Sequence, residues 1–184
     1  AGIYDAMNKG TRMATGEWIC FMNAGDSFPQ PDVVRRVFAP SHDFEQTAVI
    51  YGNVWLHKSF GKVEMKPKPL SLLERKMAFC HQACFVRRTL ALARPFDLQY
   101  RLAADYAFFH QLYHEGARFT YIDLALAVFE GEGGSSSQQK NAVRRECARI
   151  SGRDQTLVWK VQQVGHCIAS LWDSLFRCFL PTAL

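Results

Sequence analysis

The apolar residues of this chain change their spacing several times from one end to the other, and few folds accept that alternation. Ile3, Ala6, Met7, Gly10, Met13 and Ala14 recur at helical spacing, with Gly16 as a stop. Residues 17–22 then run apolar like a buried strand. "FPQPDVVRRVFA" starts a short helix, with Pro31 suited to its first turn. "AVIYGNVWLHK" and "GKVEMK" predict two strands around a "SFGK" turn, "LSLLERKM" a helix and "ACFVRR" a short strand. "AADYAFFHQLYHEG" predicts a helix with a wide apolar face, closed by Gly116, and "ARFTYID" returns as a strand. Helix and strand in alternation, with no internal repeat, indicate an α/β layered domain and not a sandwich or a bundle.

Composition adds limits. The 184 residues, 48% hydrophobic and 21% charged, suit a globular domain with a real core. A formal charge of +5 accommodates a phosphate-bearing ligand, an anionic membrane surface or nucleic acid and chooses among none of them. No nucleic-acid recognition motif occurs and the aromatics fall on apolar faces, so no nucleic-acid partner is expected. Cys20, Cys80, Cys84, Cys147, Cys167 and Cys178 show no regular framework, which points to reduced thiols in a cytosolic protein. Cys80, His81 and Cys84 have no second Cys/His pair at finger spacing, which weighs against zinc. The sequence has neither a secretory signal nor an apolar run long enough to span a membrane.

The stretch "EWICFMNAGDSF", residues 17–28, runs a strand-like segment into Asn23, Ala24, Gly25 and Asp26. Asn, Gly and Asp favour turns, so this is one reading of it. A divalent cation held by a carboxylate at the carboxyl end of a sheet strand is the other.

Three stretches in order give the second reading more weight. "GIYDAMNKGTRMATGEWICFMNAGDSF" resembles the middle of the bacterial family-two glycosyltransferases of GT-A fold. Ala6-Met7-Asn8-Lys9-Gly10 stands where the family often has A-R-N-x-G, and Asn23-Ala24-Gly25-Asp26 where it has an acidic D-x-D-like cluster, with one carboxylate left. "YGNVWL" and "FCHQACFVRR" are similar to its Y-G-D-v and h-Q-x-x-f-x-r-r segments. "RPFDLQYRLAADYAFFHQLYHEGARFTYID" is similar to the segment in which a family Asp opens a helix beside the acceptor. Asp105 holds that place, after Ala104 instead of the frequent Glu. "GEGGSSS" resembles a following loop. The wording is most like non-processive enzymes of exopolysaccharide or capsule assembly, since no Q-x-x-R-W occurs.

The resemblance implies a partial GT-A α/β domain over residues 1–140, followed by a basic and then amphipathic helical tail over 141–184. It implies inverting, metal-dependent transfer of a sugar from a nucleotide-diphosphate donor to a saccharide or polyprenyl-diphosphate-linked acceptor. Asp26 would be the ligand of Mn²⁺ or Mg²⁺, and Asn23 and Gly25 would lie against the nucleotide. Asp105 would be the general base, although a carboxylate opening a helix is also a common stabilising feature. His81 and Gln82 are candidate contacts to acceptor or diphosphate, with a satisfied, partly buried histidine as the plain alternative. Ser135, with Ser136, either meets phosphate oxygens or belongs to a flexible loop.

The family acts at the cytoplasmic face of the membrane, which implies a cytoplasmic protein in peripheral contact with it. About 60–90 residues of preceding β–α units would complete such a domain, so the 184 residues alone are not expected to turn over substrate. A non-catalytic binding module remains the alternative. Leu157, Val161, Val164, Ile168, Leu171 and Leu175 follow a four-three spacing. Their helix can pack on its own domain, form a homodimer seam or face a membrane. Arg144, Arg145, Arg149 and Arg153 make a basic stripe, either solvated or facing lipid or diphosphate.

Overall fold

The computed structural model describes residues 2–58, 61–130 and 139–162. Helix α1 (Ile3–Met13) leads to a two-residue strand β1 (Trp18–Ile19) and a short helix α2 (Val33–Val37). Strands β2 (Val49–Lys58) and β3 (Gly61–Met65) form a hairpin, and two 3-10 turns, Leu70–Glu74 and His81–Ala83, precede β4 (Cys84–Arg87). Then come α3 (Arg88–Ala93), α4 (Ala104–His114), β5 (Phe119–Glu130) and α5 (Lys140–Ile150). This is a mixed α/β fold around one mixed sheet.

Strand β2 is its spine. One edge pairs antiparallel with β4 over Val49–Tyr51 and with β3 over Val54–Lys58, while the other pairs parallel with β5. The run "VIYGNV" is apolar almost throughout because both of its faces are covered, as in sheets sandwiched between layers. Val49 and Tyr51 face one core with Cys84, Val86, Phe79 and the α4 residues Tyr106, Phe108 and Phe109. Ile50 and Val54 face the other with Val33, Val37, Phe44, Phe85 and Leu126. The period of two in β2 thus sorts its side chains between two cores.

Several expectations are revised. The strand expected over 17–22 is paired only at Trp18 and Ile19, opposite Arg87 and Val86 of β4. Cys20 Sγ meets the Gln82 carbonyl there, 3.6 Å away, instead of a ladder continuing. The helix expected from "LSLLERKM" is a 3-10 turn that buries Leu73. The strand expected over 117–123 starts at Phe119 and continues to Glu130, where β2 pairs with it as far as His57.

The expected basic stripe divides. Arg144 lies 4.9 Å and Arg153 5.8 Å from the centre of the Trp159 ring, and Arg153 also donates to the Arg75 carbonyl at 2.7 Å. Arg145 and Arg149 are exposed. The heptad helix begins at 157–162, where Trp159 is buried and Leu157, Val158 and Val161 are exposed. Its remainder lies outside the described residues, as do Ser135 and Ser136.

Candidate active site

The stretch 23–26 is a turn, and the turn presents a carboxylate. Asp26 N donates to the Asn23 carbonyl at 3.0 Å, and Gly25 sits at φ 92°, a left-handed conformation that glycine adopts without a Cβ clash. Ser27 then rejoins the sheet against Val128, with backbone bonds of 3.1 and 2.7 Å. Gly25 is exposed and Asp26 half-buried.

The 3-10 turn His81–Ala83 lies between this loop and the start of α4. Gln82, only 3% exposed, donates its amide to Asp26 Oδ2 at 2.9 Å. The neighbouring His81 places Nδ1 3.0 Å from Asp105 Oδ2, both side chains being less than a fifth exposed, at 18% and 16%. The other ring nitrogen, Nε2, is 3.1 Å from the Asn23 amide nitrogen. That amide donates, so Nε2 accepts and the imidazole proton sits on Nδ1, toward Asp105. Two consecutive residues of one turn therefore reach the two carboxylates picked out in the sequence.

Asp105 is gripped from the other side by Tyr4, whose hydroxyl lies 2.9 Å from Oδ1 and 3.1 Å from the Leu102 carbonyl. Burial pushes the Asp105 carboxyl up, but the hydrogen bonds from His81 and Tyr4 outweigh it and hold the group below the ordinary carboxylate value. Tyr4 is itself raised, by burial first and by the adjacent carboxylate second.

Four residues along α1, on the same face as Tyr4, Asn8 clamps the backbone of Phe96. Its Nδ2 donates to the carbonyl at 2.9 Å and its Oδ1 accepts from the amide at 2.8 Å. Cys80 Sγ donates to Gln82 Oε1 at 2.8 Å, and burial lifts that thiol to about 12, so it stays a donor and fixes which way the Gln82 amide points. An open groove of about 590 Å³, lined by Ile3, Ala6, Met7, Gly10 and Ile19, reaches Asn23.

The site therefore gathers Asn23, Gly25, Asp26, His81, Gln82 and Asp105. Tyr4 carried no functional signal of its own in the sequence; Asn8 stood out only as part of the Ala6–Gly10 motif and Cys80 only as a weak zinc candidate, and the contacts each makes come from the fold. Among the described residues no group of three or more His, Cys, Asp or Glu side chains is arranged to hold a metal ion. Asp26 thus brings a single carboxylate of hard oxygen donors. A Mg²⁺-like cation bound mainly through substrate phosphates needs only one or two carboxylates, so this donor set fits such an ion.

A mycobacterial protein carries the most informative likeness. Over 138 residues the chain is 36% identical to a PGL/p-HBAD biosynthesis glycosyltransferase of Mycobacterium bovis, an alignment covering 74% of this chain and 54% of that protein. The chain is a relative of glycosyltransferases. The same figures hold for a PGL/p-HBAD biosynthesis glycosyltransferase of Mycobacterium tuberculosis. An uncharacterized glycosyltransferase of Mycobacterium tuberculosis is 27% identical over 170 residues, 90% of this chain and 64% of that one. The chain spans about half the length of the first two relatives. No protein-family model matches it.

Proposed function

We propose that this chain forms the catalytic and acceptor-binding part of an inverting, metal-dependent glycosyltransferase of the family-two, GT-A type. The observation that carries the reading is the turn at His81 and Gln82, which ties Asp105 and Asp26 into one site. The donor is a nucleotide-diphosphate sugar. The acceptor is a saccharide or a lipid-linked saccharide presented at the inner face of the membrane. Among the described residues no helix is long and apolar enough to cross a membrane.

In this mechanism the acceptor hydroxyl attacks the anomeric carbon from the face opposite the diphosphate. The new C–O bond forms as the bond to the diphosphate oxygen breaks, and the hydroxyl proton passes to Asp105. His81 and Tyr4 hold that carboxylate ionised and oriented until the proton arrives, and a carboxylate has lone pairs enough for a third donor. Asn23 and Gly25 lie against the nucleotide, and Gln82 orients Asp26. Asp26 would hold Mn²⁺ or Mg²⁺, which when bound neutralises charge building on the departing diphosphate.

The test pairs two variants of the native polypeptide. Asp105→Asn should lower kcat by about 10²–10⁴-fold while leaving donor affinity near wild type. Asp26→Asn should abolish the Mn²⁺ dependence of donor binding, measured by calorimetry. Unchanged turnover in Asp105→Asn would sink the base assignment. Metal-independent binding in wild type would return the chain to the binding-module reading.

A further inference from the structure

The N-terminus of α4, which carries Asp105, has no side-chain cap of its own. Its N-cap is Ala103, which has no side-chain acceptor to offer. Three successive backbone N–H groups at this point are nonetheless satisfied, all by one residue from another helix. Glu146 of α5 accepts from Arg101 N through Oε1 at 3.0 Å, and from Leu102 N and Ala103 N through Oε2 at 2.9 Å each. An anion at a helix N-terminus is also favoured by the helix dipole. The same short segment is held from the opposite side by Tyr4, through the Leu102 carbonyl and Asp105 itself.

We infer that Glu146 is a positioning residue for Asp105: it fixes the backbone that enters α4 and so sets where the Asp105 carboxylate stands against His81 and Tyr4. This rests on the proposed role of Asp105 as the base. Asp105 follows Ala103 by two residues, so a shift of the 101–103 backbone moves the carboxylate with it. The chemistry suits a carboxylate specifically. An ionised Glu only accepts, and three N–H groups face it, whereas a glutamine would turn its own donor toward one of them. Glu146 lies in "RRECARI", among arginines and beyond the stretch that resembles transferases, so nothing in the sequence marks it as part of the site.

The experiment uses Glu146→Ala and Glu146→Gln in the native polypeptide, beside Asp105→Asn. The readouts are kcat, donor affinity, and the Asp105 carboxyl titration followed by ¹³C NMR. The titratable groups around Asp105 are Tyr4 from α1, His81 and Cys80 from the turn region, Cys84 from β4 and Cys147 from α5. Glu146→Ala should lower kcat roughly 10- to 100-fold with donor affinity unchanged, as expected for a base misplaced by about an ångström. The Asp105 titration should move to higher pH as its grip on His81 and Tyr4 loosens. Glu146→Gln keeps one of the two acceptor oxygens and should show the same changes in smaller degree, and it replaces the alanine variant if that one fails to fold.

An Asp105 titration unchanged in Glu146→Ala overturns the inference, whatever happens to turnover. An unchanged kcat in that variant, where Asp105→Asn is inactive, overturns it as well. Full activity in Asp105→Asn instead removes the base reading, and the NMR shift then judges the positioning alone.

Discussion

Asn53 is 1% exposed, and its amide turns every polar atom to a neighbour. Nδ2 donates to Glu64 Oε1 and to Asp123 Oδ1, both at 2.8 Å, and Oδ1 accepts from the Tyr121 hydroxyl at 2.9 Å. The resembling motif has an aspartate at this place, and the surroundings explain why this chain does not. A carboxylate at position 53 would face those of Glu64 and Asp123, with Lys66 already committed to Asp123 at 3.0 Å. Asn53→Asp should therefore cost about 2–4 kcal/mol at neutral pH, the penalty for an unpaired buried charge. Like charges would raise the new group's folded pKa. The deficit should shrink as pH falls through that value, which urea melts at two pH values would reveal, and an equal deficit at both would refute the explanation.

The residues of the candidate site differ in how legible they were. Asp26 and Asp105 stood out because each lies in a patterned stretch. His81 and Gln82 stood out only as neighbours in a motif, and their division between the two carboxylates is a property of the turn. Tyr4 lies on a helix and Glu146 among arginines, and no motif singles out either one. Their contacts join residues 98 or more and 43 or more positions apart, distances over which a sequence pattern carries no signal.

At the scale of elements, β2 and β5 show where pattern suffices and where it stops. The apolar run in β2 announced a strand, but the length of β5 did not follow from its own sequence. "LALAVFE" is strand because β2 is there to pair with it, and its register slips between Tyr51 and Asn53 and again between Asn53 and Val54. Gly52 sits at that irregularity. A Cβ there would stand 2.5 Å from the Leu124 carbonyl oxygen and 2.8 Å from Leu126 Cγ. The nearer of these is backbone and cannot rotate away, so the strands would have to part. Gly52→Ala should cost about 1–3 kcal/mol, the usual range for overpacking. A denaturant midpoint equal to wild type would mean that β5 passes less closely. The 3-10 turn at Leu70–Glu74 shows the reverse: its sequence favours a helix, and it is cut to a single turn that buries Leu73 and meets α4, where Tyr106 donates to the Leu73 carbonyl at 2.8 Å.

At the scale of the molecule, the perturbed groups among the described residues fall into two sets that bound the pH range of stability. Asp105 is held below its ordinary value, with burial opposing and His81 and Tyr4 prevailing. Asp123 is brought down to about 2 by hydrogen bonds from Asn53, Lys66 and Tyr121. His110 is lowered by burial and by the nearby His114. For each of these the unfolded chain binds protons more readily than the folded one. Their contribution is complete above the ordinary value, near 6.5 for histidine and near 4 for carboxylates, and is lost as pH falls through the lowered one.

The opposite set is raised by burial: Cys20 and Cys80 to about 12, Cys147 to about 11, and Cys84, Tyr4 and Tyr106 in the same direction. Their contribution is complete below the unfolded thiol value, about 8.5, and is lost as pH rises toward the raised ones. Stability should therefore form a plateau between about pH 6.5 and 8.5 and fall on both sides. The acid limb should begin with His110 and steepen as the carboxylates protonate. Urea midpoints across roughly pH 4 to 10 measure it directly. His110→Gln should flatten the first part of the acid limb and leave the alkaline limb in place. An alkaline limb that persists unchanged after Cys20→Ala and Cys80→Ala would assign it to the tyrosines instead of the thiols.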